Sequence, residues 1–123
     1  MKKFIPIIIF VVLLAGVITA VALSENKPSK YDALAQCINK SGTIFYGAFW
    51  CPHCKATKAL FGTAAKYLPY HECSTADGKN ELQECIDAGV KGYPTWVFPD
   101  GSRVSGEQTL QTLSEKTNCP LPQ

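Results

Sequence analysis

The chain has 123 residues, room for one domain, with 12 basic and 10 acidic side chains, six cysteines and 46% apolar residues. Two of the basic residues, Lys2 and Lys3, precede a long apolar run, so the other ten balance the ten acids and the rest of the chain is neutral. This excludes a nucleic-acid binder held by a basic surface, since nothing is left over to neutralise phosphates, and the ordinary apolar content argues against disorder.

No charged residue occurs from Phe4 to Ser24. Residues 4–23 are nearly all Ile, Val, Leu, Ala and Phe, and about 20 such residues as a helix span the hydrocarbon core of a bilayer. Residues 1–23 therefore read as a membrane anchor. Lys2 and Lys3 before the run, and the mixed charges Glu25, Lys27 and Lys30 after it, put the N-terminus in the cytoplasm. The rest then lies on the extracytoplasmic side, periplasmic or equivalent. A cleaved signal peptide is the competing reading. Ala20-Val21-Ala22 has the form of a cleavage site, and the domain would then be secreted. The run is, however, longer than the usual signal core of about 7–15 residues. A buried core helix is a third reading, for which the remaining chain can hardly supply a partner. Anchor and signal peptide agree on a space where disulfides persist, which fits six cysteines in the last 100 residues.

Residues 24–30 are polar, contain Pro28, and read as a linker to a domain over 31–123. Ser29, with Asp32 three residues on, has the form of a helix cap. Tyr31, Leu34, Ala35 and Ile38 follow helical spacing, and Gly42 stops the run. Thr43 to Trp50 is apolar, aromatic and β-branched, a buried strand. After Cys51-Pro52 a helix is expected to about Leu68, with Lys55, Lys58, Gly62 and Lys66 as its polar stripe and a broad buried face. Pro69 to Cys73 is a short strand and Ser74 to Lys79 a turn. Asn80 with Gln83 marks a helix start, with Leu82, Cys85 and Ile86 on one face and Gly89 at its end. Thr95 to Phe98 is a strand, Pro99-Asp100-Gly101-Ser102 a tight turn, and Arg103 to Ser105 the return strand. Ser105 with Gln108 opens a last helix, Leu110 and Leu113 pointing inward. The order α-β-α-β-α-β-β-α implies an α/β domain, a four-stranded sheet flanked by helices on both faces, behind one hydrophobic N-terminal helix.

Cys51-Pro52-His53-Cys54 falls at a strand–helix junction. Two intervening residues in the first turn of a helix let the sulfurs meet in a reversible disulfide. The helix N-terminus carries partial positive charge and free N–H groups, which stabilise a thiolate, the form that attacks a disulfide. Cys51, nearer the helix end, is the expected nucleophile. Cys54, on the inner side, is expected to resolve the mixed disulfide. His53 adds a donor or a positive charge beside Cys51, and Pro52 presets the helical φ where no N–H is needed. Other readings stand beside this one. The motif is also half a zinc site, with Cys73 and Cys85 as the other half, although zinc ligands usually come as two tight pairs. A purely structural disulfide and an inert, surface His53 are further possibilities, and the lone His71 reads as inert. Haem attachment is excluded, because Lys55 stands where it needs His.

Three stretches bring a family into view: Phe45-Tyr46-Gly47-Ala48-Phe49-Trp50-Cys51-Pro52-His53-Cys54, Pro69-Tyr70-His71-Glu72-Cys73, and Gly92-Tyr93-Pro94-Thr95-Trp96. The domain resembles the thioredoxin superfamily. It is most similar to the thioredoxin-like domain fused to, or encoded apart from, bacterial homologues of vitamin K epoxide reductase. The resemblance implies a thioredoxin-like fold and a disulfide oxidoreductase outside the cytoplasm. In it, Cys51–Cys54 is the redox-active disulfide and Pro94 the cis-proline that shapes the substrate groove. By composition alone, Pro94 is an ordinary strand-start proline. The resemblance also implies that the domain oxidises secreted or periplasmic protein thiols and is reoxidised by a membrane quinone-linked oxidoreductase. Pro-His between the cysteines is, in addition, the dipeptide of the strong oxidant DsbA. The chain departs from cytoplasmic thioredoxins at Phe45, where they carry an acid six residues before the first active cysteine. This leaves Glu72 as a weak candidate acceptor for the Cys54 proton. No quinone-binding helix bundle is present in the sequence, so any relay runs to a separate protein.

With Cys51–Cys54 as one pair, the other four cysteines allow three connectivities. Cys73 ends a strand and Cys85 lies on the inward face of the next helix. Cys37 is on the first helix and Cys119 just past the last. The preferred set is Cys73–Cys85 with Cys37–Cys119, both structural; an electron relay through Cys73–Cys85 is the functional alternative. Tyr46, Phe49, Trp50, Tyr93 and Trp96 read mostly as core, while Trp50 and Tyr93, flanking the active pair, are candidates for substrate contact. No nucleotide or flavin motif occurs, Gly92-Tyr93-Pro94 is not a phosphate loop, and neither a cofactor nor a resident metal is expected. The expected function is a thiol–disulfide oxidoreductase that donates disulfides. Its rivals are a reductase or isomerase run by the same residues, a Cu(I)- or zinc-handling module holding metal on Cys51 and Cys54, and a non-catalytic stapled interaction domain.

Overall fold

The computed structural model describes residues 4–25 and 27–123, with the side chains of residues 23–25 left aside. Lys2 and Lys3, on which the orientation of the N-terminal segment rests, lie outside the described residues. Helix α1 (Ile5–Glu25) has 21 residues, about 30 Å at 1.5 Å per residue. Its side chains from Ile5 to Ala22 are exposed, so the reading as a buried core helix is not supported. By length and composition it is long and apolar enough to cross a bilayer, a test that a signal sequence also passes.

Strand β1 (Ile44–Gly47) organises the domain, because its alternating side chains serve two cores. Helix α2 (Asp32–Lys40) precedes it, and helix α3 (Pro52–Phe61) with a 3-10 turn over Gly62–Tyr67 leads to β2 (Tyr70–Glu72). The parallel pairing of β1 with β2 needs such a crossover. Helix α4 (Gln83–Asp87), β3 (Thr95–Val97), β4 (Arg103–Ser105) and α5 (Leu110–Thr117) complete the chain. The sheet order is β2-β1-β3-β4, with β3 antiparallel to both its neighbours. Phe45 stands opposite Trp96 in the ladder, and their rings stack at 4.3 Å. Around them Leu34, Ile38, Phe61 and Leu113 from α2, α3 and α5 form the main core. Tyr46, the next residue, belongs to a smaller cluster with Cys73, Cys85, Val90 and Tyr93, beneath α4.

The order of elements matches the pattern in the sequence; several ends do not. The first strand stops at Gly47 rather than Trp50. The Cys51 N–H closes a turn onto the Ala48 carbonyl, and the Phe49 N–H donates to Glu72 Oε1, which turns Phe49 and Trp50 outward. Helix α3 stops at Phe61 because Gly62 takes φ 57°, a conformation open to glycine. Its buried face is narrow, formed by Cys54, Thr57 and Phe61, while Leu60 is exposed. Lys58, assigned to the polar stripe, instead lies over the Tyr70 ring, 3.2 Å from its centroid. Asn80 does not start a helix. It pairs with Thr75 across a turn, and α4 begins at Gln83 with Ile86 exposed. The last helix begins at Leu110, capped by Thr109, whose hydroxyl accepts the Thr112 N–H. The Gln108 side chain turns back to the Ser105 and Gly106 carbonyls instead. Ser29 is not the cap of α2: the N-cap is Tyr31, which makes no side-chain cap hydrogen bond, while Asp32 accepts the Ser29 N–H and Ser29 Oγ accepts the Tyr31 N–H in the turn before it.

Candidate active site

Cys51 is the N-cap of α3 and Pro52 its first residue, the place where a missing N–H costs nothing. Cys51 Sγ accepts the Cys54 N–H at 3.4 Å, and its own thiol donates to the Tyr93 carbonyl at 3.6 Å. The two cysteines stand as free thiols, Cys51 4% and Cys54 1% exposed. A substrate sulfur must therefore come down between the side chains around Cys51. Trp50, half exposed, and Tyr93, half buried, meet there edge to face at 6.0 Å. Tyr93-Pro94 is a cis peptide, Pro94 is buried, and the Tyr93 carbonyl lies at the Cys51 sulfur. His53 is 66% exposed, and its Nδ1 pairs with Glu107 Oε1 at 2.7 Å.

Beneath Cys54 the packing is tight. A Cβ on Gly47 would fall 2.6 Å from Tyr70 Cε2 and 3.0 Å from Cys54 Sγ, so only glycine leaves room for both. Burial and a hydrogen bond with Cys51 push the Cys54 thiol up to about 12. Burial pulls the Lys58 ammonium below its usual range, opposed by the charges of Glu72 and Cys54. Glu72, the acid considered for the Cys54 proton, is engaged on several sides. Oε2 accepts the Tyr70 hydroxyl at 2.8 Å, and Oε1 accepts the N–H groups of Phe49 and Ser74. Burial, then this hydrogen bond, raises the Tyr70 hydroxyl above its usual range.

Cys37 is bonded to Cys119 and Cys73 to Cys85. The second bond consumes two cysteines that a four-cysteine metal site would require. Among the described residues no group of three or more His, Cys, Asp or Glu side chains is placed to hold a metal ion. Of the aromatic residues grouped as core, Trp96 is buried and Tyr46 half buried, but Phe49 is exposed beside Trp50. The sequence reading missed three neighbours of the site. Glu107 pairs with His53, Ser74 Oγ accepts the Trp50 indole N–H at 2.9 Å, and Glu81 Oε1 accepts the Tyr93 hydroxyl at 2.7 Å.

A helix-capping cysteine pair beside a cis-proline on a β2-β1-β3-β4 sheet agrees with the comparison to known families, where the thioredoxin model matches residues 23–118. The chain belongs to the thioredoxin family. A relative in Arabidopsis thaliana, thiol-disulfide oxidoreductase LTO1, is 44% identical over 105 residues, 82% of this chain. The match spans 28% of that relative, just over a quarter of its length. Fold, motif and relative agree on the class of chemistry in this domain, which is thiol–disulfide oxidoreduction.

Proposed function

We propose that the domain is an extracytoplasmic disulfide donor, tethered by the apolar segment of residues 1–23 and linked through residues 24–30. It acts on the thiols of secreted or periplasmic proteins and is restored by a membrane quinone-linked oxidoreductase of the vitamin K epoxide reductase type. The observation that carries this reading is the unequal setting of the two cysteines. Cys51 caps α3 beneath the Trp50–Tyr93 contact, while Cys54 is sealed against Gly47 and Tyr70 with its thiol raised to about 12.

In the oxidising direction a substrate thiolate attacks Cys51 Sγ of the Cys51–Cys54 disulfide. A sulfur–sulfur bond forms to the substrate, the Cys51–Cys54 bond breaks, and Cys54 leaves and takes a proton. Burial of Cys54 disfavours its thiolate, so the released sulfur is held as the neutral thiol. A second substrate thiolate attacks the substrate sulfur of the mixed disulfide and releases Cys51. The substrate has lost two electrons, which rest on the Cys51 and Cys54 thiols until the membrane partner accepts them. His53, held by Glu107, sets the polarity around Cys51. The Tyr93 carbonyl, fixed by Pro94, gives an extended substrate a backbone acceptor beside the sulfur.

Full-length protein, oxidised and mixed with a reduced, unfolded secreted protein, tests this. Disulfides are expected to appear in the substrate and to fall to the background rate with Cys51→Ser. Cys54→Ser, given a disulfide peptide, is expected to accumulate a reductant-sensitive adduct on Cys51. Transfer that survives Cys51→Ser contradicts the reading.

A further inference from the structure

The segment between Cys73 and Cys85 lies outside the four-stranded sheet. It is a hairpin closed by its own contacts: a Ser74–Glu81 bridge, the Thr75 N–H to the Asn80 carbonyl at 2.9 Å, and the Leu82 N–H to the Cys73 carbonyl at 2.7 Å. The disulfide Cys73–Cys85 fixes its base, on the small cluster that includes Val90 and Tyr93. Nothing in this internal bonding requires contact with the site, yet three attachments run there. Ser74 Oγ holds the Trp50 indole and Glu81 the Tyr93 hydroxyl. At Gly78 the backbone passes against two rings: a Cβ there would stand 3.5 Å from Trp50 and 3.6 Å from Phe49. The two residues that line the approach to Cys51 are thus each held by a residue of the hairpin, and they touch each other.

We propose that this disulfide-closed hairpin positions the substrate groove. Ser74 and Glu81 act as positioning residues that fix Trp50 and Tyr93 for an extended, cysteine-containing peptide. The physical reason is preorganisation. Trp50 is 48% exposed, and a side chain that is free to rotate must be ordered when substrate binds, at a cost in affinity. Hydrogen bonds that fix it beforehand remove that cost. The inference rests on the oxidoreductase reading above. It differs from an electron relay through Cys73–Cys85, which would act on turnover.

The test uses the full-length chain in detergent, with Ser74→Ala and Glu81→Ala singly and together, beside Ser74→Thr and Glu81→Gln, which keep an acceptor at each position. Three quantities are read: steady-state oxidation of a dithiol peptide, the potential of the Cys51–Cys54 pair against glutathione, and quenching of tryptophan fluorescence by acrylamide. Trp96 is fully buried, so quenching reports Trp50. For each hydrogen bond lost, KM for the peptide is expected to rise about three- to tenfold, with kcat changed less than about twofold. The potential is expected to stay at the wild-type value. Ser74→Ala is expected to steepen the quenching, and the Thr and Gln variants to restore wild-type KM. If the double alanine variant does not fold, the single variants carry the same comparison. An unmoved KM in folded alanine variants, or a loss that falls on kcat or on the potential, overturns the proposal alone. A wild-type pair that never cycles with glutathione overturns the oxidoreductase reading and this proposal with it.

Discussion

Cys54 is where a single side chain carries the most chemistry. Its thiol is raised from 9.0 to about 12, first by burial and then by its hydrogen bond with Cys51. Reduced, folded protein therefore keeps a proton that the unfolded chain gives up near pH 9. The associated stability is whole below that pH and is lost as pH climbs toward 12. In the oxidised protein this group does not titrate, whereas Lys58, Tyr70 and Tyr93 are present in both forms. The melting temperature of the reduced form is thus expected to fall relative to the oxidised form between about pH 8 and 10.5. Parallel melting curves for the two forms across that range would contradict the burial of Cys54. The cysteine pair was legible in the sequence because its spacing, its proline and its place after an apolar strand are all local. Ser74, Glu81 and Glu107 were not legible. Each is an ordinary polar residue, separated by 24, 12 and 54 positions from the partner that gives it a role.

At the scale of elements, the strand–helix junction depends on how closely β1, β2 and α3 approach one another. Gly47 is the narrow point, with the Tyr70 ring on one side and the Cys54 sulfur on the other. A methyl group there must displace one of them. Gly47→Ala is expected to destabilise the domain by about 1–3 kcal/mol, as overpacking commonly does. It is also expected to make Cys54 alkylate faster if the sulfur is what moves. Equilibrium denaturation and alkylation with iodoacetamide read the two effects, and wild-type values for both would show the junction to be looser than described. The succession of elements follows from apolar runs and the glycines between them, which is why it could be read from the sequence. Their ends depend on distant partners. The first strand ends early because Glu72, on another strand, takes the Phe49 N–H, and α4 starts late because Thr75 takes Asn80.

For the whole molecule, Cys37–Cys119 ties α2 to the segment that follows α5, across 82 positions. A bond that closes so much of the chain removes entropy from the unfolded state, and removing it is expected to cost about 2–4 kcal/mol. Cys37→Ala with Cys119→Ala should therefore lower Tm by at least roughly 10 °C. The Cys51–Cys54 potential should not change, since the bond is made by α2 and the C-terminal residues rather than by the groove. Differential scanning calorimetry and glutathione titration of the variant check both, and a shifted potential would join the two ends of the domain to the site. The most direct measurement for the molecule is that titration on the full-length wild-type protein, with the Cys51–Cys54 pair equilibrated against reduced and oxidised glutathione. A disulfide donor is expected near the oxidising end, at about −120 to −180 mV. A value near about −270 mV would contradict donation and make the domain a reductase.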